Sequence, residues 1–373
     1  MKTILLAVDG PFLNNEVFNL NNKILNRDNS LQPFYALREE LSKYNYNIQT
    51  IDKGNPLLSE CIIFFDTHIS TRYFESNYFK YCIKNRLQDK MVLFLWEPPV
   101  VAEEDYGPQI LENFKIIFTW NDELVDNKKY FKLYYPQPDY DKSMKILNFK
   151  DKKFCTLIAA NKMSSHQDEL YSERINAIRF FEKSSPADFD LYGFGWNEKR
   201  INTRLYTNSR LNRYIRIFRL LWKDIKFPAV SFYPSYRGSI KDKIEILSQY
   251  KFCICYENMC NVKGYITEKI FDCFKARCIP IYLGTDNVTD FIPENTFIDK
   301  RKFSTYDSLL SYLRNISESE YNEYIENIGG FLKSEKYYPF SIKGFANNVI
   351  TTLLKRSYTK CCDDGRNFSD LRA

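Results

Sequence analysis

At 373 residues, with 44% apolar side chains and a mean hydropathy of −0.44, the chain has material for two α/β domains with cores of their own and is not a disordered segment. Its 53 Lys and Arg against 47 Asp and Glu leave a net charge of +6, too mild to argue for nucleic acid but suited to anionic partners such as nucleotide diphosphates or an acidic membrane face. Ten cysteines without a CxxC pair, and only two histidines (His68 and His166), argue against a disulfide framework and a zinc site, and reduced thiols fit a cytoplasmic protein.

In chain order, MKTILLAVDG opens with an apolar run too short for a signal-peptide core or a spanning helix, and no later run approaches the ~20 residues a bilayer requires. It reads as a first buried strand. Strands are expected at Thr3–Val8, Asn47–Ile51, Cys61–Asp66, Met91–Trp96 and Ile116–Thr119, with helices at Phe34–Lys43 and Ser76–Arg86 between them. This alternation implies a parallel, doubly wound sheet occupying residues 1–145. The turn-rich stretch Tyr134–Asp151 reads as an interdomain linker.

A second α/β domain is expected over 146–335: strand Phe154–Ala160, helix Ser172–Lys183, strand Phe189–Tyr192, helix Ile240–Gln249, then strand Lys251–Tyr256, loop Glu257–Ile266, helix Thr267–Arg277 and strand Ile279–Leu283. Amphipathic helices follow at Thr305–Asn315 and Glu318–Ile328, the second stopped by Gly329-Gly330. Residues 336–373 hold a helix near Ser341–Leu354 and a charged tail. Within the second domain, Lys199–Lys226 carries nine Lys or Arg and one Asp, with apolar residues at helical spacing. It reads either as a basic amphipathic helix lying on an anionic membrane surface or as an ordinary helix with a solvated basic face.

The residues that suggest chemistry cluster in Tyr250–Gly284. Glu268 and Lys269 sit side by side in the first turn of a helix, where free N–H groups and a lysine suit a diphosphate and the carboxylate suits sugar or ribose hydroxyls. That is the pattern of a nucleotide-sugar site. In MVLFLWEPP, the proline after Glu97 holds this carboxylate in extended geometry at a strand exit, where open α/β sheets bind ligands; it could serve as general base for a sugar hydroxyl. Arg174 falls in a helix first turn, where positive charge opposes the helix dipole; it reads either as a ligand for an external anion or, taken alone, as a surface arginine paired with Glu173 or Glu182. Tyr236-Arg237-Gly238, with Lys241 and Lys243, offers either a phosphate contact or a turn. Asp188-Phe-Asp190 and Asp139-Tyr-Asp141 match a metal-bridging DxD pattern but read as a strand start and linker.

Taken together, Tyr250-Lys251-Phe252, Glu257-Asn258, Tyr265-Ile266-Thr267-Glu268-Lys269-Ile270 and Pro280-Ile281-Tyr282-Leu283-Gly284 resemble the defining stretch of the α-1,3-fucosyltransferases of glycosyltransferase family 10. The resemblance runs in pieces from Met91 to Phe297. It implies a GT-B fold, two Rossmann-like domains facing across a cleft, with the terminal helix crossing back to the first domain. It also implies inverting transfer of L-fucose from GDP-β-L-fucose, without an essential metal, to O3 of a GlcNAc- or Glc-type residue in an oligosaccharide or lipid-linked glycan. By motif, Glu97 would be the base; Arg174 and Lys269 would neutralise the diphosphate; Glu268 would hold hydroxyls; and Tyr236, Arg237, Lys243, Glu257, Asn258, Tyr265 and Thr267 would complete the donor pocket. The expected location is cytoplasmic, peripheral at the inner membrane face. The alternatives are transfer of another sugar from a different nucleotide, or a non-catalytic glycan- or membrane-binding scaffold.

Overall fold

The computed structural model describes residues 1–67, 78–140, 147–197 and 233–363. Two wholly parallel sheets organise it. Strands β1 (Lys2–Ala7), β2 (Tyr46–Thr50), β3 (Cys61–Phe65), β4 (Met91–Leu95), β5 (Ile116–Thr119) and β6 (Tyr130–Lys132) form the first, in the order β2-β1-β3-β4-β5-β6. Strands β7 (Lys153–Ile158), β8 (Phe189–Tyr192), β9 (Tyr250–Tyr256), β10 (Ile279–Leu283) and β11 (Ile298–Asp299) form the second, in the order β11-β10-β9-β7-β8. Central strands such as β4, buried at every position, read as unbroken apolar runs because helices cover both sheet faces.

In each sheet the strand order reverses once, between β1 and β3 in the first and between β7 and β9 in the second. Such a reversal opens a crevice at the carboxyl ends of the strands, the usual ligand position in this architecture. The helix Ile342–Asp363 packs against Gln32–Ser42, and its Phe345, Val349 and Ile350 enter the core of the first sheet. Gln137 N–H donates to the Phe340 carbonyl (2.7 Å), and Asn348 Nδ2 donates to the Lys132 carbonyl (2.8 Å), tying this segment to the crossover between sheets.

Several elements differ from the expected ones. The helix Glu318–Phe331 runs through Gly329-Gly330 rather than stopping there. A Ser317–Glu320 capping box starts it, and the buried stripe Tyr321, Ile325, Ile328 and Phe331 carries it past the glycines, whose cost of roughly 1 kcal/mol each is outweighed by that burial. The helix expected at Ile240–Gln249 is only Lys243–Leu247, capped by the Asp242 side chain accepting from Glu245 N–H. Strand β6, three half-buried residues at the sheet edge, is too short to show a strand periodicity and is absent from the elements expected on sequence. The basic segment Lys199–Lys226, His68 and Asp141 lie outside the described residues.

Candidate active site

A cleft of about 800 Å³ runs between the two sheets, lined by Glu97, Arg174, Asn258, Thr267, Glu268 and Lys269 among others. Its second-domain wall is the reversal between β7 and β9. Strand β9 is followed directly by Glu257, which is fully buried. The Glu257 carboxylate accepts from Thr267 N–H (2.9 Å), the Thr267 hydroxyl (2.7 Å) and Lys269 Nζ (3.0 Å). Thr267, in extended geometry, is the N-cap of helix Glu268–Lys275; its hydroxyl oxygen also accepts from Lys269 Nζ (2.9 Å). One buried carboxylate therefore fixes both the helix start and the lysine beside it. Burial alone would lower the Lys269 pKa, but Glu257 and Glu268 outweigh burial and the repulsion of Arg174, so the pKa is raised and the ammonium stays charged.

Arg174 enters from the first turn of helix Tyr171–Ser184 and is 5% exposed. Its Nη2 donates to the Tyr256 carbonyl (2.7 Å), the Glu257 carbonyl (2.8 Å) and Asn258 Oδ1 (3.1 Å), while the guanidinium lies over the Tyr171 ring. Nη1 and Nε have no hydrogen-bond partner among the described residues, leaving donors of a fixed guanidinium for a ligand in the cleft it lines. Glu268, whose side chain is 48% exposed, lies 3.8 Å from Lys243 Nζ, and Lys243 makes a closer bond to Asp272 (2.7 Å). Burial works against the Glu268 charge, yet Lys269 and Lys243 prevail and hold the carboxyl down at about 2. It is an anion with room to accept hydroxyl hydrogen bonds.

The opposite wall comes from the first domain. Glu97, half-buried, follows β4 and faces the same cleft, beside Trp96, Pro33 and Tyr135. The walls are joined by an aromatic cluster: Tyr265 packs on Trp120 (ring centroids 4.6 Å apart) and Tyr135 (6.2 Å). Asp122 N–H donates to the Lys263 carbonyl (3.1 Å), and Asn287 bridges the domains, donating to Asp122 (2.9 Å) and accepting from Gly264 N–H (2.9 Å). Gly264 sits at φ +82°, with the Trp120 carbonyl where a Cβ would stand, so only glycine fits this joint.

Three expected donor-pocket residues have other work. Glu257 is sealed under the helix start and cannot meet a ligand; its role is to hold Thr267 and Lys269. Tyr236 and Arg237 do not line the cleft but extend the sheet beyond β8. Arg237 N–H donates to the Leu191 carbonyl (2.8 Å), the Tyr236 hydroxyl to the Gly193 carbonyl (2.9 Å), and the guanidinium neutralises Asp190 (2.6 Å). Asp190 also takes Lys153 Nζ and the Tyr250 hydroxyl, so this DxD carboxylate is occupied by protein groups. Tyr265 touches the cleft but is 1% exposed and chiefly joins the domains. The Tyr134–Asp151 stretch is more than a linker, since Tyr135 and Pro136 line the cleft. Sequence reasoning misses Asp66, a carboxylate at the exit of β3 that binds the backbone of Glu97 (3.1 Å); the strand-exit rule that singles out Glu97 selects it equally.

Residues 201–328 match the model of glycosyltransferase family 10 (fucosyltransferase), C-terminal part. Over 77 residues, 20% of this chain, the sequence is 42% identical to the α-(1,3)-fucosyltransferase FucT of Helicobacter pylori, a segment spanning 16% of that relative's length. Crystal structures of an α1,3-fucosyltransferase with GDP and with GDP-fucose superpose with TM-scores of 0.51 and 0.50, at 15% and 17% identity, each covering 94% of this chain and 90% of the other. The matched motif holds Glu257, Asn258, Thr267, Glu268 and Lys269, the second-domain wall built above. The two sheets are those of the GT-B fold, and the second-domain wall of the cleft lies in the stretch that is similar to the fucosyltransferases of glycosyltransferase family 10.

Proposed function

We propose that the chain transfers L-fucose from GDP-β-L-fucose to a hydroxyl of a glycan acceptor, with inversion to an α-linkage. The observation that carries the reading is the meeting, in one cleft, of a diphosphate-type cradle (Arg174, Lys269 and the helix start at Thr267) with a carboxylate, Glu97, on the opposite wall. Similarity to fucosyltransferases, one of them solved with GDP-fucose, supports the donor. In this reaction Glu97 takes the acceptor hydroxyl proton as the oxygen attacks the anomeric carbon. The bond from that carbon to the diphosphate breaks on the other face, and Arg174, Lys269 and the helix N–H groups receive the charge that develops on the leaving GDP. Charge neutralisation is thereby assigned to protein groups rather than to a metal ion. Glu268, anionic and half-exposed, orients donor hydroxyls, and Asn258 completes the pocket. The acceptor is read as a GlcNAc- or Glc-type residue attacked through O3. A cytoplasmic setting, peripheral at the inner membrane face, belongs to the same reading.

The test is turnover of GDP-fucose, GDP-mannose and UDP-galactose with N-acetyllactosamine as acceptor, followed by linkage analysis of the product. Transfer from GDP-fucose into an α-1,3 linkage, surviving a chelator, is the expected result. Turnover of the uridine donor alone would overturn the donor assignment, and no turnover of any donor would favour a binding scaffold.

A further inference from the structure

Trp96 and Glu97 leave β4 just before Pro98 and Pro99, so their own backbone groups have no strand ladder to join. Buried backbone groups normally find partners in helices or sheets. Here all four go to side chains. Trp96 N–H donates to Asp66 Oδ1 (2.7 Å), and Glu97 N–H donates to both Asp66 oxygens (3.2 and 3.1 Å). The Trp96 carbonyl accepts from the Tyr135 hydroxyl, and the Glu97 carbonyl accepts from the Tyr106 hydroxyl (2.8 Å). These partners come from the exit of β3, from the turn Glu103–Tyr106 and from the crossover to the second domain.

Asp66 is costly to keep. It is 3% exposed, adopts φ +52°, and lies near a second buried carboxylate, Asp105, which accepts from Thr67 N–H (3.0 Å). Burial first, and then Asp105, hold its carboxyl well above the ordinary range, with the two N–H donors pulling the other way. Asp66 has no cation partner among the described residues, and its own N–H is spent on the Phe94 carbonyl (2.9 Å). A left-handed, buried carboxylate without a countercharge persists only where the surrounding structure demands it.

We infer that Asp66, supported by Tyr106 and Tyr135, is the positioning residue of the acceptor side: it grips the Trp96–Glu97 backbone and thereby sets where the Glu97 carboxylate stands in the cleft. The inference rests on the reading of Glu97 as base. Its leverage is geometric, since a displacement of about 1 Å at a reacting group can cost ~10²-fold in rate.

The experiment compares Asp66→Gly, Asp66→Asn, Tyr106→Phe and Glu97→Gln, using GDP-fucose and N-acetyllactosamine for kinetics and calorimetry for GDP. Glycine adopts φ +52° without strain but has no oxygen; asparagine tolerates that backbone and keeps an acceptor. Asp66→Gly should lower kcat by ~10-fold or more with GDP affinity within about twofold of wild type, and Asp66→Asn should recover most of the loss. Tyr106→Phe should lower kcat by about 3–10-fold in the same pattern, and it carries the test alone if Asp66→Gly does not fold. Wild-type kcat in Asp66→Gly or Tyr106→Phe, Asp66→Asn as slow as Asp66→Gly, or a kcat loss matched by lost GDP affinity overturns the positioning role while leaving Glu97 as base if Glu97→Gln is inactive. An active Glu97→Gln overturns both.

Discussion

The two walls of the cleft hold their functional groups by opposite means. On the second-domain side, charges hold charges: the buried Glu257 carboxylate anchors Lys269 and Thr267, and Lys243 stands between Asp272 and Glu268. On the first-domain side, the Trp96–Glu97 backbone is held by one carboxylate and two tyrosine hydroxyls, with no ion pair to Glu97 among the described residues. A charge network couples ligand affinity to fold stability, whereas a backbone holder leaves stability and donor affinity largely free of the Glu97 carboxylate. Damage to one wall should therefore look different from damage to the other.

The largest effect is expected on the backbone-held side. Glu97→Gln should cut turnover by ~10² or more while GDP affinity, measured by calorimetry, stays at the wild-type value. Unchanged turnover would remove Glu97 from the mechanism. Lys269→Ala should behave otherwise, weakening GDP binding by about 1.5–3 kcal/mol through loss of a charged hydrogen bond. It should also lower stability by ~3–5 kcal/mol, because it strands the fully buried Glu257 carboxylate. The pair Glu257→Gln with Lys269→Met should restore much of that stability in urea titrations without restoring affinity. If affinity returned with stability, Lys269 would not touch the phosphate.

The contrast also bears on how much of each wall is legible in the amino-acid sequence. Strands β4, β9 and β10 are plain because burial on both faces leaves unbroken apolar runs, and Glu268-Lys269 is plain because a helix first turn is contiguous. Burial itself is not contiguous. Glu257 and Lys269 look equally available in a motif, yet one is sealed and the other lines the cleft. Arg237 resembles a phosphate ligand on sequence because its partner, Asp190, lies on another strand and comes near only through sheet pairing. The Glu97 holder is harder still, since Asp66, Tyr106 and Tyr135 share no spacing and converge only when β3 and β4 pair. The glycine pair at 329–330 misleads because local propensity says nothing of the burial of Phe331.

A smaller effect should arise where the walls meet. Gly264→Ala places a Cβ against the Trp120 carbonyl at φ +82° and should cost about 1–3 kcal/mol in urea unfolding. Because the joint fixes one wall against the other, transfer should fall more than GDP affinity. Equal losses would mean that the donor wall alone is disturbed.

The smallest effect separates the walls by pH. The Glu268 carboxyl, ordinarily at 4.5, is held at about 2 in the folded protein by Lys269 and Lys243 against the opposing effect of burial. Above pH 4.5 the carboxylate is ionised whether the chain is folded or unfolded, and the stabilisation from its charged partners is fully present. As pH falls from there towards 2 the unfolded chain takes the proton first, so this stabilisation is progressively lost. With the side chain 48% exposed, solvent screening keeps the contribution modest. Glu268→Gln should accordingly flatten the fall in urea midpoint between about pH 5 and about pH 3. Asp66→Asn should not mimic it, because the Asp66 carboxyl is raised rather than lowered and contributes with the opposite sign. A Glu268→Gln curve parallel to wild type would mean that Lys243 and Lys269 spend their charge on Asp272 and Glu257 alone, leaving Glu268 to the ligand.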